Sequence, residues 1–325
     1  MNLDFKYNFL IIGTPGYYQV GYKDVMTLKN VNYYLNHWDG TDGFAGKIVR
    51  MTFSNKINKY VKHPFSRFSY PRVFKTHFAD NRPICVIFFS SNYYLVNSPY
   101  LHYLKNTHPN CKIVFYYQDK VKVHTPNIDI NELKKKVDVI YSYDKHDCAD
   151  YSLKYYPTPY SSINVPVSHD LPDSDVFYCG RAKTRFDIIH NIYKRLTDQG
   201  LKCDFILNSF PETSPRIDGI KYNHYISYER YLQHVSHTKI ILEIMQEDTD
   251  GFTPRLWESI AFEKLLLTNN PEVKLSRYYN SHYMHNLEVL DDIRELLNTK
   301  VNYTQDEKEQ LSPINFLHEV ESNFI

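Results

Sequence analysis

Short apolar runs alternate with amphipathic stretches along most of the chain. In the first half, runs rich in Ile, Val, Phe and Tyr and free of internal proline predict buried parallel strands at residues 7–12, 47–53, 84–89, 112–117 and 137–141. Helices are predicted between them at residues 23–37, 98–107 and 130–136. Such an alternation of strand and helix is typical of βαβ units around a parallel sheet.

The pattern stops between residues 155 and 175, where four prolines and several serines discourage both helix and central strand. It restarts with predicted strands at 176–179, 203–207, 239–244 and 265–268, and with helices at 185–198, 228–237, 254–262 and 311–325. We therefore expect two Rossmann-like α/β domains, residues 1–165 and 166–310, with parallel sheets facing across a cleft. The final helix, 311–325, is expected to pack back on the first domain.

Composition narrows the class of protein. The chain of 325 residues is 42% hydrophobic and 23% charged, which excludes a disordered or low-complexity protein. No apolar run approaches the roughly 18 residues of a membrane span, and the first ten residues do not resemble a secretory signal. The five cysteines are dispersed and form no CxxC pair, as expected of free thiols in the cytoplasm.

Charge divides the chain. Residues 1–165 hold 21 Lys and Arg against 12 Asp and Glu, a net +9, whereas residues 166–325 hold 17 against 25, a net −8. A basic, aromatic first half predicts contact with an anionic membrane surface or a lipid-phosphate acceptor. The alternative is simple drift in composition. Nucleic acid is not an expected partner, because Lys and Arg form no dense run beyond residues 134–136.

Three glycines follow the first predicted strand in FLIIGTPGYYQVG, in a protein that has only ten. A glycine turn at this place lets a ligand approach the backbone, so Gly13 and Gly16 are candidates for the acceptor side of a site. The spacing is not GxGxxG, and a plain strand-to-helix turn is the alternative.

A second candidate site begins at Gly180, where a predicted strand ends. Arg181, Lys183 and Arg185 follow within five residues as the next helix starts. Cations beside a helix N-terminus at the carboxyl end of a strand form an anion site, so a phosphate is the expected ligand. A solvated basic turn is the alternative.

The most informative stretch is DGFTPRLWESIAFEKLLLTNN. Gly251 ends a polar loop, Thr253 is a good N-cap, and a proline follows at the first helical position. Arg255 adds positive charge to the first turn, and Glu258 lies three residues further on the same face. The helix start could hold a diphosphate while Glu258 accepts hydrogen bonds from a ribose diol. An amphipathic helix in which Arg255 and Glu258 pair is the alternative.

These segments together resemble the donor half of GT-B glycosyltransferases, in particular bacterial enzymes of capsular, exopolysaccharide and lipopolysaccharide synthesis. The segments KIVFYYQD and DVIYSYDKHDCADYSLKYYP resemble the corresponding part of the first domain. The resemblance implies that a nucleotide sugar, with UDP favoured, binds the second domain and that no cofactor or metal is needed. It assigns diphosphate contacts to Arg181, Lys183, Arg185, Thr253 and Arg255.

The same resemblance assigns further roles. Glu258 matches the ribose-binding glutamate of the family's E-x7-E motif, and the backbone near Tyr225 and Ile226 would contact the nucleobase. The first glutamate of that motif is Asp250 here, so the carboxylate near the donor sugar is one methylene shorter. Glu247 or Asp248 in the same loop could take its place.

Two DxD strings, Asp173-Ser174-Asp175 and Asp248-Thr249-Asp250, leave open a metal-dependent transferase of the GT-A class. That class would need one nucleotide domain near the N-terminus instead of two matched halves. His234 and His237 have helical spacing but no evident third ligand, so we expect core or surface histidines.

For catalysis, Asp119 and His124 are candidate bases. Asp119 ends the segment KIVFYYQD, at the edge where α/β sites lie, and His124 follows five residues later. Asp119 could instead cap a turn. The leading hypothesis is a metal-independent hexosyltransferase of the cytoplasm or the inner membrane face, acting on a glycan or lipid-linked glycan. A catalytically silent nucleotide- or glycan-binding partner, and a Rossmann enzyme using NAD or S-adenosylmethionine, are the alternatives.

Overall fold

The structure is a computed structural model, and it describes residues 4–14, 16–35, 43–53, 70–71, 73–74, 76–162, 168–246 and 251–325. The chain forms two compact units. The first comprises residues 1–161 together with 312–325, and the second comprises residues 162–311. Within the described ranges, no helix is both long enough and apolar enough to cross a lipid bilayer.

The first unit is built on a parallel sheet of six described strands in the order β2-β1-β3-β4-β5-β6. The strands are β1 (Asn8–Ile12), β2 (Val31–Tyr34), β3 (Ile84–Phe89), β4 (Lys112–Tyr117), β5 (Val139–Ser142) and β6 (Lys154–Tyr155). Its helices are α1 (Tyr17–Gly21), α2 (Lys23–Met26), α3 (Gly43–Thr52), α4 (Tyr93–Val96), α5 (Tyr100–Thr107), α6 (Val121–His124), α7 (Ile130–Lys134), α8 (Lys145–Tyr151) and the C-terminal α14 (Pro313–Ser322).

Both faces of this sheet are covered. Leu10 belongs to the core on one face and Phe9 to the core on the other, because successive side chains of a strand point to opposite sides. Helix α14 contributes Phe316, Leu317 and Val320, all fully buried, to the second of these cores. The strands of a parallel sheet covered on both faces are continuously apolar, as β3 is.

The second unit contains a parallel sheet in the order β12-β11-β10-β7-β8-β9. Its strands are β7 (Ser174–Arg181), β8 (Cys203–Ser209), β9 (Ile220–Tyr222), β10 (Thr238–Glu243), β11 (Leu265–Thr268) and β12 (Met284–Asn286). Its helices are α9 (Phe186–Asp198), α10 (Tyr228–Ser236), α11 (Pro254–Ala261), α12 (Ile293–Leu296) and α13 (Gln305–Glu309), with short 3₁₀ turns at Lys183–Arg185, Pro271–Leu275 and Leu287–Asp291.

The strand order of the second sheet reverses at β7. The next strand along the chain, β8, pairs on one side of β7, whereas β10 pairs on the other. In open α/β sheets, ligands bind outside the carboxyl ends of the strands at such a switch point. The topology therefore predicts a ligand site near the carboxyl ends of β7, β8 and β10.

The predicted α/β architecture with two parallel sheets is confirmed, but two local predictions are wrong. Residues 47–52 of the predicted strand at 47–53 lie in α3, and Phe53 directly follows the helix. Val49 and Phe53, four residues apart, both bury against the core. In the predicted helix at 23–37, the described residues 23–35 form the short α2 followed by β2, which pairs in parallel with β1 at the edge of the sheet; residues 36 and 37 lie outside the described part of the chain.

Candidate functional site

A pocket of about 380 Å³ opens at the carboxyl ends of β7 and β8, beside the first turns of α11. That volume lies within the usual range of small-ligand sites. The pocket brings together predicted donor-binding residues from separate segments: Gly180, Arg181, Tyr225, Ile226, Arg255 and Glu258. Side chains that the sequence did not single out complete the lining, among them Asn208, Tyr228 and Tyr231.

The start of α11 is fixed by its cap. Thr253 is the N-cap, and its hydroxyl accepts a hydrogen bond from the backbone N–H of Arg255 at 3.2 Å. The same hydroxyl donates to the carboxylate of Glu243 at the end of β10. Gly251, which has a φ of 87°, precedes the cap, and its carbonyl accepts a hydrogen bond from Asn270. The loop and the helix start are therefore tied to the strand ends of the sheet.

Glu243 is a site residue that the sequence reasoning missed. It is 1% exposed, and its two carboxylate oxygens accept hydrogen bonds from Thr253 and Thr268. A carboxylate as the last residue of the apolar run TKIILE was the available signal. The contacts join α11 to β10 and β11.

Arg255 extends from α11 across the end of β7. Its Nη2 donates to the backbone carbonyl of Cys179, and its guanidinium lies 5.9 Å from the centre of the Tyr178 ring. A Cβ at Gly180 would lie 3.4 Å from the same Nη2 and 3.2 Å from the Tyr178 hydroxyl. A glycine at the end of β7 therefore leaves room for the guanidinium.

Glu258 is held between two tyrosines. It is 1% exposed; Oε1 accepts a hydrogen bond from Tyr228 at 2.7 Å, and Oε2 accepts one from Tyr231 at 2.5 Å. Burial is the largest influence and raises the pKa of Glu258, while both hydroxyls and the nearby Arg255 lower it. The carboxylate thus takes its hydrogen bonds from tyrosines of α10, and the guanidinium of Arg255 donates to a carbonyl.

The three cationic residues after Gly180 differ in exposure and in their contacts. Arg181 is exposed and lines the pocket. Arg185 donates to the backbone carbonyls of Ile244 and Arg181, and burial lowers its pKa. The backbone of Lys183 begins a 3₁₀ turn, and its side chain lies outside the described part of the structure.

Tyr225 and Ile226 lie in the loop between β9 and α10, at the rim of the pocket. Tyr225 is 81% exposed, and Tyr228 stacks on Tyr231 with ring centroids 5.7 Å apart. Asn208 at the end of β8 accepts a hydrogen bond from the Cys179 thiol. This side of the pocket is aromatic, whereas the side formed by α11 and Gly180 is cationic.

The acidic candidates Glu247, Asp248 and Asp250 lie outside the described residues. The other DxD string lies at the start of β7, at the opposite end of that strand from the pocket, where Asp173 pairs with His237 and Asp175 pairs with Lys239.

His234 of α10 and His237, which directly follows that helix, each pair with a different carboxylate. Nδ1 of His234 lies 2.5 Å from Oδ2 of Asp204, and Nδ1 of His237 lies 2.9 Å from Oδ1 of Asp173. Among the residues that the structure describes, no cluster of three His, Cys, Asp or Glu side chains could hold a metal ion.

The first-unit candidates gather near the carboxyl edge of their own sheet. Gly13 follows β1, where a Cβ would lie 2.8 Å from the Tyr33 hydroxyl, and Gly16 has a φ of 93° at the start of α1. Asp119 follows β4 with its side chain 70% exposed, and its carboxylate lies 3.8 Å from Nε2 of His124. An exposed carboxylate beside an imidazole is available to an acceptor hydroxyl.

No protein-family model matches the chain, and no curated protein matches it in sequence. Solved structures do match. An alpha-glucosyltransferase in complex with UDP and a 13-mer DNA containing a HMU base is similar with a TM-score of 0.51 at 12% identity, over 97% of this chain and 98% of that one. A UDP-forming alpha,alpha-trehalose-phosphate synthase from Burkholderia vietnamiensis gives 0.50 at 10% identity, over 98% and 95%. At such identities the likeness concerns the fold, and the predicted GT-B fold class is confirmed.

Proposed function

We propose that the protein is a glycosyltransferase that moves a sugar from a nucleoside-diphosphate donor, with UDP favoured, to an acceptor hydroxyl. One observation carries the proposal: Gly180 is far along the chain from Arg255 and Glu258, yet all three line one pocket at the switch point of the second sheet. Both similar structures support UDP, because one contains it and the other is named as UDP-forming.

The pocket offers a different partner to each part of such a donor. The start of α11 and the guanidinium groups of Arg255 and Arg181 suit a diphosphate, because a helix N-terminus and charge-assisted donors favour anions. Glu258 can accept hydrogen bonds from a ribose diol in competition with Tyr228. The aromatic rim around Tyr225 suits a nucleobase.

In the transfer step, the acceptor oxygen forms a bond to the anomeric carbon, and the bond from that carbon to the diphosphate oxygen breaks. The nucleoside diphosphate leaves with the electron pair, and the acceptor proton passes to a base. We assign the base to Asp119 or His124, with Gly13 and Gly16 on the acceptor side. The family resemblance assigns the carboxylate for the donor sugar to Asp250 or Glu247. The proposed acceptor is a glycan or lipid-linked glycan of a bacterial surface polysaccharide.

Calorimetry with UDP, GDP and CDP tests the donor site. We expect UDP to bind the wild-type protein and to bind Arg255→Ala at least about tenfold more weakly, because one charge-assisted contact is worth about 1.5–3 kcal/mol. Arg195→Ala is the matched control, since Arg195 pairs with Asp291 away from the pocket. Absence of binding by all three nucleotides, or an equal loss in both variants, contradicts the proposal.

A catalytically silent nucleotide-binding partner is the second candidate. It is favoured by Asp250, which is shorter than the glutamate of the family motif. Release of UDP from UDP-sugars, measured with and without glycan acceptors, separates the two. Turnover that Asp119→Asn or His124→Gln reduces supports the transferase, whereas tight UDP binding without turnover supports the silent partner.

A further inference from the structure

Helix α3 exposes an apolar stripe. Phe44, Ile48 and Met51 are 81%, 39% and 47% exposed, although they are large hydrophobic residues. They stand at positions i, i+4 and i+7 of the helix, which place them on one face. Most exposed apolar residues of a soluble domain are scattered singly, so an aligned set of three marks a contact surface.

The opposite face of α3 is already used. Val49 is buried, and so is Phe53, which directly follows the helix; the Phe53 ring packs against Tyr70 and Tyr100 with centroids 5.3 and 5.7 Å away. The helix is therefore anchored to the first unit by one face while it presents the other to solvent. The exposed apolar stripe therefore takes no part in packing the helix against the core of the first unit.

Charge identifies the partner. The sequence from residue 43 to residue 79 contains eight Lys and Arg and no Asp or Glu, and the exposed Lys47 stands beside the stripe on α3. An apolar helix face with a lysine beside it, in a basic stretch of sequence, is the pattern of helices that lie in the interface of anionic membranes. A nucleic acid would match the positive charge but would leave Phe44, Ile48 and Met51 in water.

We propose that α3 docks the protein on an anionic lipid bilayer, with Phe44, Ile48 and Met51 inserted at the level of the acyl-chain boundary and Lys47 among the headgroups. This docking surface lies on the first unit and does not depend on the transferase activity. It gives the expected membrane contact of the basic half a defined position on the fold.

Co-sedimentation of the full chain with phosphatidylcholine vesicles, with and without phosphatidylglycerol, tests the docking. We expect binding only to the anionic vesicles, and loss of binding at about 1 M salt, where the Debye length is about 3 Å. The triple variant Phe44→Ser, Ile48→Ser, Met51→Ser should bind at least about tenfold more weakly. Leu275→Ser, at a 70% exposed position of the second unit, is the control and should bind normally.

Phe44→Trp provides a second readout if the triple variant folds poorly. Its fluorescence should be quenched by brominated acyl chains more than that of the wild-type protein, which has two tryptophans. Unquenched fluorescence, or equal vesicle binding by the triple variant, overturns the proposal. So does lipid-free dimerisation that the triple variant abolishes, or binding of duplex DNA without binding of anionic vesicles.

Discussion

Glu258 is buried and accepts hydrogen bonds from two tyrosines. The effect of burial on its pKa determines how the stability of the protein changes with pH. Burial raises the pKa of Glu258 above the ordinary value of 4.5. Between the unfolded and the folded pKa, the folded protein holds a proton that the unfolded chain has released. Stability must therefore fall as the pH rises from 4.5 through the folded pKa, and the loss is complete above it.

We expect Glu258→Gln to lack this loss, because an amide does not ionise. The difference in Tm between Glu258→Gln and the wild-type protein should thus change in favour of the variant as the pH rises from 4.5 to about 8. Thermal melts across that range measure it, with Glu288→Gln at an exposed position as the control. A difference that is constant with pH would show that Glu258 titrates normally in the folded protein.

Residues of the pocket differ in how far the sequence could predict them. Arg255 and Glu258 follow a cap and a proline, so local signals place them on one face of a helix start. Tyr228 and Tyr231 carry no such signal, because their hydroxyls reach Glu258 only after α10 and α11 pack on the same sheet. The sequence predicted the acid but not the groups that hold it.

Helix α11 shows how one element connects the pocket to the sheet. Its N-cap hydroxyl serves the backbone N–H of Arg255 and, at the same time, the buried carboxylate of Glu243. Loss of a Thr cap typically costs about 1 kcal/mol, and an oxygen of Glu243 would also lose its donor.

We expect Thr253→Ala to lower the free energy of unfolding by about 1–3 kcal/mol and to weaken UDP binding, because the helix start would no longer be held. Thr253→Ser keeps the hydroxyl and should retain most of both properties. Urea denaturation and calorimetry on the two variants measure the effects. Equal behaviour of Ala and Ser would mean that the hydroxyl does not position α11.

Elements at the sheet edges were the hardest to predict. The strands β6, β9 and β12 have only two or three residues, too few for a periodic pattern, and they form because a longer neighbour supplies the hydrogen bonds. In the segment that becomes α3, the apolar positions 49, 51 and 53 imitate the period of a strand. Val49 and Phe53 are both buried and lie four residues apart, a spacing that is typical of a helix.

Across the whole molecule, the two units differ in charge. The first holds 21 Lys and Arg against 14 Asp and Glu, a net +7, because the acidic C-terminal helix belongs to it; the second holds 17 against 23, a net −6. The long-range placement of α14 therefore moderates the basic character of the first unit, while residues 43–79, which include α3, contain no Asp or Glu.

Helix α14 also closes the first unit. Phe316, Leu317 and Val320 are fully buried in its core, and the carboxylate of Glu321 accepts hydrogen bonds from the backbone N–H groups of Lys6 and Tyr7. Burial of each of the three side chains contributes about 1.5–3 kcal/mol, so together they contribute an amount comparable to the 5–15 kcal/mol stability of a typical domain.

Termination after Leu311 should therefore unfold the first unit, or leave its sheet open to hydrogen exchange, because one core loses its cover. Phe316→Ala, which leaves the rest of α14 in place, should lower the free energy of unfolding by about 3–5 kcal/mol. Removal of Ile325 alone, which is 80% exposed, should change little. Hydrogen exchange followed by mass spectrometry compares the protection of the backbone amides in β1, β3 and β4 with that in the strands of the second unit. Full protection of the first sheet in the truncated chain would show that α14 is dispensable to the unit whose core it covers.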